Sequence, residues 1–406
     1  MHLKGEDGAV LKKIDYADKW SRMLTTQNIG LTIDNQNEEI KISNLIFNGN
    51  VFNQGEFRNH ELGQQHLIFL TAKSIAGSRL NVIIEDCEFH DSAADAISIH
   101  KNINAKINNC LASNIFRGGL VLTGGNSIVD VDSFQTKGEL IKTGIDVEVD
   151  GKGSENLYLI ELTMNHILLD GDLDIACKSN SKIHIKNAKI ENTPVNIVCK
   201  SGSITIEDSE FLITKKGVFT IQYPKNVVFK NCNFINYAFQ EKINSSIKLI
   251  WKTRYLTPSD QKLSFIDCEF TNRSNNLVDG YYFHSHFCDF TSNNSLNFTN
   301  CQFNQIKGVL NAERGGVYFF SNCFFNSDVV INAISDVNDE KHVTININNS
   351  RIGANFKNYL DLKTSGGDQI SIEGKDINIK NHIDKTTLSR VNRDLEVVDV
   401  VSKGKR

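Results

Sequence analysis

The chain has 406 residues, 40% of them hydrophobic and 23% charged, as in a folded soluble protein long enough for two ordinary domains or one elongated repeat array. A net charge of −4 gives no electrostatic case for nucleic acid or an anionic membrane, and no global field to attract a polyanion. No apolar run approaches the roughly 20 residues that span a bilayer. The N-terminal MHLKGEDGAVLKK also lacks an apolar signal core, so neither membrane insertion nor classical secretion is expected.

Three prolines suit a chain committed to long sheets, since proline removes a ladder donor. Nine cysteines cannot all pair internally, and the absence of any CxxC removes the commonest zinc and thioredoxin readings.

A repeat sets the architecture. IEDCEF (Ile84–Phe89), FKNCNF (Phe229–Phe234), FIDCEF (Phe265–Phe270), FTNCQF (Phe298–Phe303) and FSNCFF (Phe320–Phe325) are close copies, with weaker ones elsewhere. The fourth position forms a column: Leu45, Cys87, Cys110, Leu162, Ala188, Ser209, Cys232, Cys268, Cys301, Cys323 and Ser350. Asn or Asp precedes ten of these eleven residues, Glu161 being the exception. Intervals of 21 to 27 recur, and those of 42 and 52 read as two turns each.

A small or apolar column residue and the Phe two places later share one strand face. The Asn or Asp before it tolerates left-handed backbone and marks a tight bend. Such a unit, with short strands and no helical period, is one coil of a β-solenoid, and stacking places like residues about 4.8 Å apart. The cysteines then become buried free thiols that pack as small hydrophobes.

In chain order, residues 1–30 form a leading segment, with Asp15–Leu24 read as a short capping helix. Coils fill residues 31–380, and 381–406 are a tail or second cap. A second signal, a strand often led by Gly, recurs downstream of each column residue: DAISIH (Asp95–His100), GLVLTG (Gly119–Gly124), GIDVEV (Gly144–Val149), GVFTIQ (Gly217–Gln222) and GVLNAE (Gly308–Glu313). Long intervals of 36 and 33 residues place insertions around 238–262 and 272–290. Insertions carry function. These hold Trp251, Arg254 and Tyr255, then Tyr281, Tyr282, His284 and His286. Aromatic rings there can stack on sugars and Arg can hold a carboxylate, or the rings can simply pack the loops down. His284-x-His286 lacks an obvious third metal ligand.

The acids concentrate in GIDVEVDG (Gly144–Gly151), where Asp146, Glu148 and Asp150 alternate with apolar residues. Aligned coils stack Ser98, Val121 and Asp146 in one outward column and His100, Thr123 and Glu148 in the next. Asp172 and Asp174 are expected beside Asp146 and Glu148, with Asp95 and Arg117 just ahead of their strands. The spacings available, about 4.8 Å across coils and 6.5–7 Å along a strand, suit the carboxyl pairs of glycoside hydrolysis. Crowding should raise at least one pKa.

This repeat resembles the parallel β-helix of the pectate-lyase and phage-tailspike superfamily over about residues 30–380. That implies an all-β fold, a right-handed single-stranded parallel β-helix of about 12–13 coils. NNCLASNIFRGGLVLTGGN (Asn108–Asn126) followed by KGELIKTGIDVEVDGKGSENLYLIELT (Lys137–Thr163) is similar to a segment of phage and prophage β-helix proteins. In that segment the Asp and Glu, here Asp146 and Glu148, face the carbohydrate groove. The family's usual Pro after the Glu is Val149 here.

The resemblance implies a tailspike-type depolymerase hydrolysing a bacterial surface polysaccharide, a homotrimer, in a virion tail or extracellular. Asp146, Glu148, Asp172 and Asp174 would be catalytic. Arg117, His100, Asp95, Asp150, Trp251, Arg254, Tyr255, Tyr281 and Tyr282 would bind substrate. No cofactor is expected. A polysaccharide lyase on the same fold is an alternative, and calcium would enter only there, through carboxylate oxygens. A non-catalytic glycan-binding adhesin or structural fibre is the third reading.

Overall fold

The computed structural model describes residues 1–373 apart from connecting segments, the longest of them 32–38, 56–64, 149–159, 238–244, 252–260, 274–280, 288–294, 335–342 and 353–359. The tail expected at 381–406 lies outside the described residues. The chain is nearly all β, its large sheets are entirely parallel, and the architecture is that of a right-handed parallel β-helix. Among the described residues, no helix is long and apolar enough to cross a membrane. The chain divides into two compact units, Met1–Ile204 and Thr205–Arg406.

In the first unit, one sheet stacks the long strands Ile103–Ser113, Ser127–Lys137, Ile160–Leu169 and Lys182–Glu191 in register. A second sheet stacks the shorter strands Ile68–Thr71, Ile97–Lys101, Gly118–Leu122, Thr143–Glu148, Asp172–Cys177 and Val195–Cys199. Alternation puts Ile97, Leu120, Ile145, Leu173 and Val195 in the core and turns their neighbours outward.

Each coil bends where the residue before the column adopts left-handed backbone: Asn44, Asp86, Asn109 and Asn187 have φ of 53°, 52°, 49° and 51°. Their side chains join coil to coil, as where Asn109 Nδ2 donates to Asp86 Oδ1 at 2.7 Å. Asn and Asp suit this corner because they tolerate the conformation and their amide or carboxylate reaches the next rung.

Two coils escape the repeat signature because Ser133 (φ 59°) and His166 (φ 53°) occupy the bend. The column therefore runs from Cys110 through Phe134 and Ile167 to Ala188. Leu162 is a correction: it pairs with Val129 and Ile183, one strand segment earlier. The interval of 42 is also corrected. Phe47 pairs directly with Phe89, so one coil with a long excursion fills it. The leading segment is not a helical cap. His2–Lys4 and Val10–Lys12 form strands on the first coil, Leu24–Thr25 joins the second sheet, and no helix occurs among the described residues of Asp15–Leu24.

In the second unit each coil contributes three strands. Phe219–Gln222, Ser245–Trp251, Tyr281–Phe287, Gly308–Glu313, Val329–Ile334 and Leu360–Ser365 stack in one sheet. The insertions around 238–262 and 272–290 thus contain sheet strands. Two ring ladders fill the interior. Phe211, Phe234, Phe270, Phe303 and Phe325 stack at centroid spacings of 4.9, 5.0, 5.1 and 4.8 Å. Phe229, Phe265, Phe298 and Phe320 follow at 5.0, 5.3 and 4.8 Å, edge-on to the first ladder. The cysteines of the column are free and buried, as expected; in the first unit, burial pushes the Cys110 thiol up to about 12.

Phe270 touches both ladders and is fully buried. Phe270→Ala should cost about 3–5 kcal/mol, read as a lowered denaturant midpoint for the second unit. A midpoint within error of wild type would contradict the ladder's role.

Candidate functional site

The acidic cluster lies on the outward face of the second sheet of the first unit. Asp146 is half-buried between Ile145 and Val147, both in the core, and Glu148 at the strand end is exposed. Val121 pairs with Asp146, and Ser98 with Val121, as the repeat predicted. In the parallel column, His100 Nδ1 lies 3.2 Å from Thr123 Oγ1. Gly119 and Gly144 allow the close packing: a Cβ on Gly119 would meet the Gly144 carbonyl oxygen at 2.7 Å.

The next coil corrects the expected register. Asp174 pairs with Asp146, Ala176 with Glu148, and Asp172 with Thr143. A bulge at Gly144 changes the offset by one residue between Thr143 and Ile145, and beyond it the pairing lies two residues from the expected one. A two-residue slip keeps every apolar residue facing inward, so hydrophobic alternation could not reveal it. The carboxylate beside Asp146 is therefore Asp174. Asn196 on the following coil donates from Nδ2 to Asp174 Oδ1 at 2.7 Å, which orients that carboxylate.

Burial and surrounding acids push Asp146 up to about 8: burial is the largest cause, then Glu148, Asp174 and Asp95, with Arg117 opposing. Asp172 rises to about 6, from burial first and Asp174 next, opposed by Lys142. His100 is lowered by burial, then by Lys101 and Arg22. The site thus sets an acid raised to about 8 directly beside Asp174.

Asp95 is corrected as a substrate ligand. It lies just ahead of its strand, but its side chain is 1% exposed. Its Oδ2 is 2.9 Å from His66 Nδ1 and its Oδ1 is 3.4 Å from Arg117 Nε. Asp95 therefore holds Arg117, which faces the groove with 37% of its side chain exposed. Tyr282 is also corrected: it is fully buried in the second unit, and its hydroxyl donates to the Phe234 carbonyl at 2.8 Å. Trp251 and Tyr281 lie on strands, at the end of one and the start of the next. Asp150, Arg254 and Tyr255 lie outside the described residues. His284 Nδ1 is 2.9 Å from Asn311 Nδ2, and among the described residues no cluster of His, Cys, Asp and Glu could hold a metal.

Sequence reasoning missed Asn196, His66, Phe69 and Arg22. Asn196 and Phe69 sit at outward positions of PVNIVC and HLIFLT, whose alternation marks them as rungs of this sheet. Phe69 pairs with Ser98 and so begins the column that leads to Asp146. No protein-family model and no curated protein matches the chain, so the functional reading rests on fold and site geometry.

Carboxyl-detected NMR titration should find Asp146 protonated at pH 7. Glu148→Gln should lower its pKa and Arg117→Gln should raise it. Because folding raises this pKa, the folded state binds the proton more tightly, and the resulting stability is lost as pH rises from about 3.8 to about 8. Asp146→Asn should therefore gain stability relative to wild type across that window. A difference independent of pH would rule out the shift.

Proposed function

We propose that the protein is a glycoside hydrolase that cleaves a bacterial surface polysaccharide, with Asp146 as general acid. What carries this reading is the pairing of half-buried Asp146, on the outward face of its strand, directly with Asp174, where burial and neighbouring acids push Asp146 up to about 8. Retaining hydrolysis needs its two carboxyl groups about 5–5.5 Å apart. Asp146 and Asp174 are paired neighbours on adjacent coils, a separation of about 4.8 Å between strands.

In the first step Asp146 gives its proton to the glycosidic oxygen as the bond from that oxygen to the anomeric carbon breaks. Asp174 attacks the anomeric carbon and forms a glycosyl ester. Asp146, now ionised, takes a proton from water, whose oxygen displaces Asp174 and restores both groups. Asn196 keeps Asp174 aimed, and Arg117 and His100 contact the sugar beside the acid. Glu148 lies two residues from Asp146 on the same face, about 6.5–7 Å away. That spacing suits an inverting base, so the anomeric configuration of the first product distinguishes the two partners.

The finer assignments rest on the family resemblance of the repeat: a tailspike-like depolymerase, homotrimeric, carried on a virion tail or otherwise extracellular. A lyase would instead leave an ultraviolet-absorbing unsaturated uronate. An adhesin would bind glycans and release none.

Incubation with a panel of bacterial capsular and O-antigen polysaccharides should release oligosaccharides with new reducing ends. Asp146→Asn and Asp174→Asn should each lower the rate by about 100-fold or more. Activity should fall as pH rises through about 8, where Asp146 loses its proton. Unsaturated products, or full activity in Asp146→Asn, would sink the hydrolase reading.

A further inference from the structure

The outward column that ends in acids begins with a cation. Arg22 lies over the ring of Phe69, with its guanidinium carbon 3.8 Å from the centroid. Phe69 is held by His66 and His100, whose rings stack with it at 5.5 and 6.2 Å. Arg22 Nη1 donates to Gln27 Oε1 at 2.6 Å. Its Nε is buried and has no hydrogen-bond partner. Among the described residues no carboxylate pairs with it in an ion pair. Burial also lowers its pKa, in keeping with a cation short of compensation. Two residues away, Trp20 is 59% exposed, an unusual surface position for so large a ring.

An arginine fixed flat on an aromatic ring keeps its fork rigid, and that fork matches a carboxylate with two parallel hydrogen bonds. Nε admits no solvent-sized atom, so an incoming carboxylate would meet the Nη edge of the guanidinium, one nitrogen of which already donates to Gln27. Phe69, Ser98, Val121 and Asp146 are successive partners in the sheet. The cation is therefore three rungs, about 14 Å, from the acidic end; Ser98 and Val121 between them are buried, so a short oligosaccharide spanning that distance would make its polar contacts at the two ends. The opposite placement would fail. A sugar carboxylate beside Asp146, Asp174 and Glu148 would be repelled, and it would hold the Asp146 proton too tightly for release to the leaving oxygen.

We propose that Arg22, seated on Phe69, forms a subsite for the carboxylate of a uronic-acid unit, so that the polymer cleaved at Asp146 is an acidic polysaccharide. The inference takes its polymer from the hydrolase reading, but the binding site stands on its own geometry. The test uses the full chain and D-glucuronate, with glucose as the neutral control, and reads dissociation constants by ligand-observed NMR. Glucuronate should bind and glucose should not. Binding should weaken as salt rises, since it rests on a partly exposed charge pair. Arg22→Gln should weaken it about tenfold or more.

Arg22→Lys keeps the charge but loses the fork, and should also weaken binding. It replaces Arg22→Gln as the deciding variant if that protein unfolds at a lower temperature than wild type. Equal binding of glucose, no binding of glucuronate, or unchanged affinity in the deciding variant overturns the proposal. Asp146→Asn separates the two readings. Retained glucuronate binding with unchanged oligosaccharide release leaves the subsite and removes the hydrolase. Lost release with no effect of the Arg22 variants on binding does the reverse.

Discussion

Every coil of a parallel solenoid must repeat the path of the one before it, so each side chain sits about 4.8 Å from its counterpart. That constraint favours residues that attract their own kind. Phenylalanine rings stack, as Phe234 does on Phe270 at 5.0 Å. Asparagines chain donor to acceptor, as Asn322 Nδ2 does to Asn300 Oδ1 at 3.2 Å. Cysteines lie close without crowding. Carboxylates are the exception, since like charges at that spacing repel. Asp146 and Asp174 meet at that spacing, and burial with the surrounding acids raises Asp146 to about 8, which relieves the repulsion.

The repeat was legible because its corner has a strict conformational demand. A left-handed residue that must also hydrogen-bond its neighbour selects Asn or Asp, and that choice shows in the letters. Where another residue meets the demand the reading failed. His166 takes the bend and its ring reaches Asp132 Oδ1 at 2.9 Å, so the bonding survives while the signature vanishes. Leu162 stands in for the column in the sequence only because the true corner carries no Asn or Asp. The buried thiols and the inward and outward alternation followed from the same logic, and both are found in the structure.

The site was legible in parity but not in register. Alternation settles which residues of Asp172–Cys177 face outward, and Asp172 and Asp174 do. It cannot say which of them meets Asp146, because a slip of two residues leaves the core unchanged. The backbone pairing decides this, setting Asp174 against Asp146 beyond the bulge at Gly144. Asp95 was misjudged for a related reason. Its place just ahead of the strand was correct, but only the fold brings His66 from the preceding coil to cover it. A charge on a loop reads as exposed until its partner is known.

The buried Asp95 shows how two carboxylates of one type diverge in this scaffold. Asp95 has His66 Nδ1 2.9 Å from one oxygen and the Arg117 guanidinium 3.4 Å from the other. Among the described residues no cation forms an ion pair with Asp146; Arg117 acts on it only as the weakest of the influences on its pKa. The same arginine is held by the first acid and lowers the second. Arg117 is thus placed to limit how far crowding can raise Asp146. Too high a pKa would leave a proton that the leaving oxygen could not take, and too low a pKa would leave none at neutral pH. On the hydrolase reading, His66 and Asp95 are positioning residues: they touch no sugar, and they act by fixing the cation that tunes the acid.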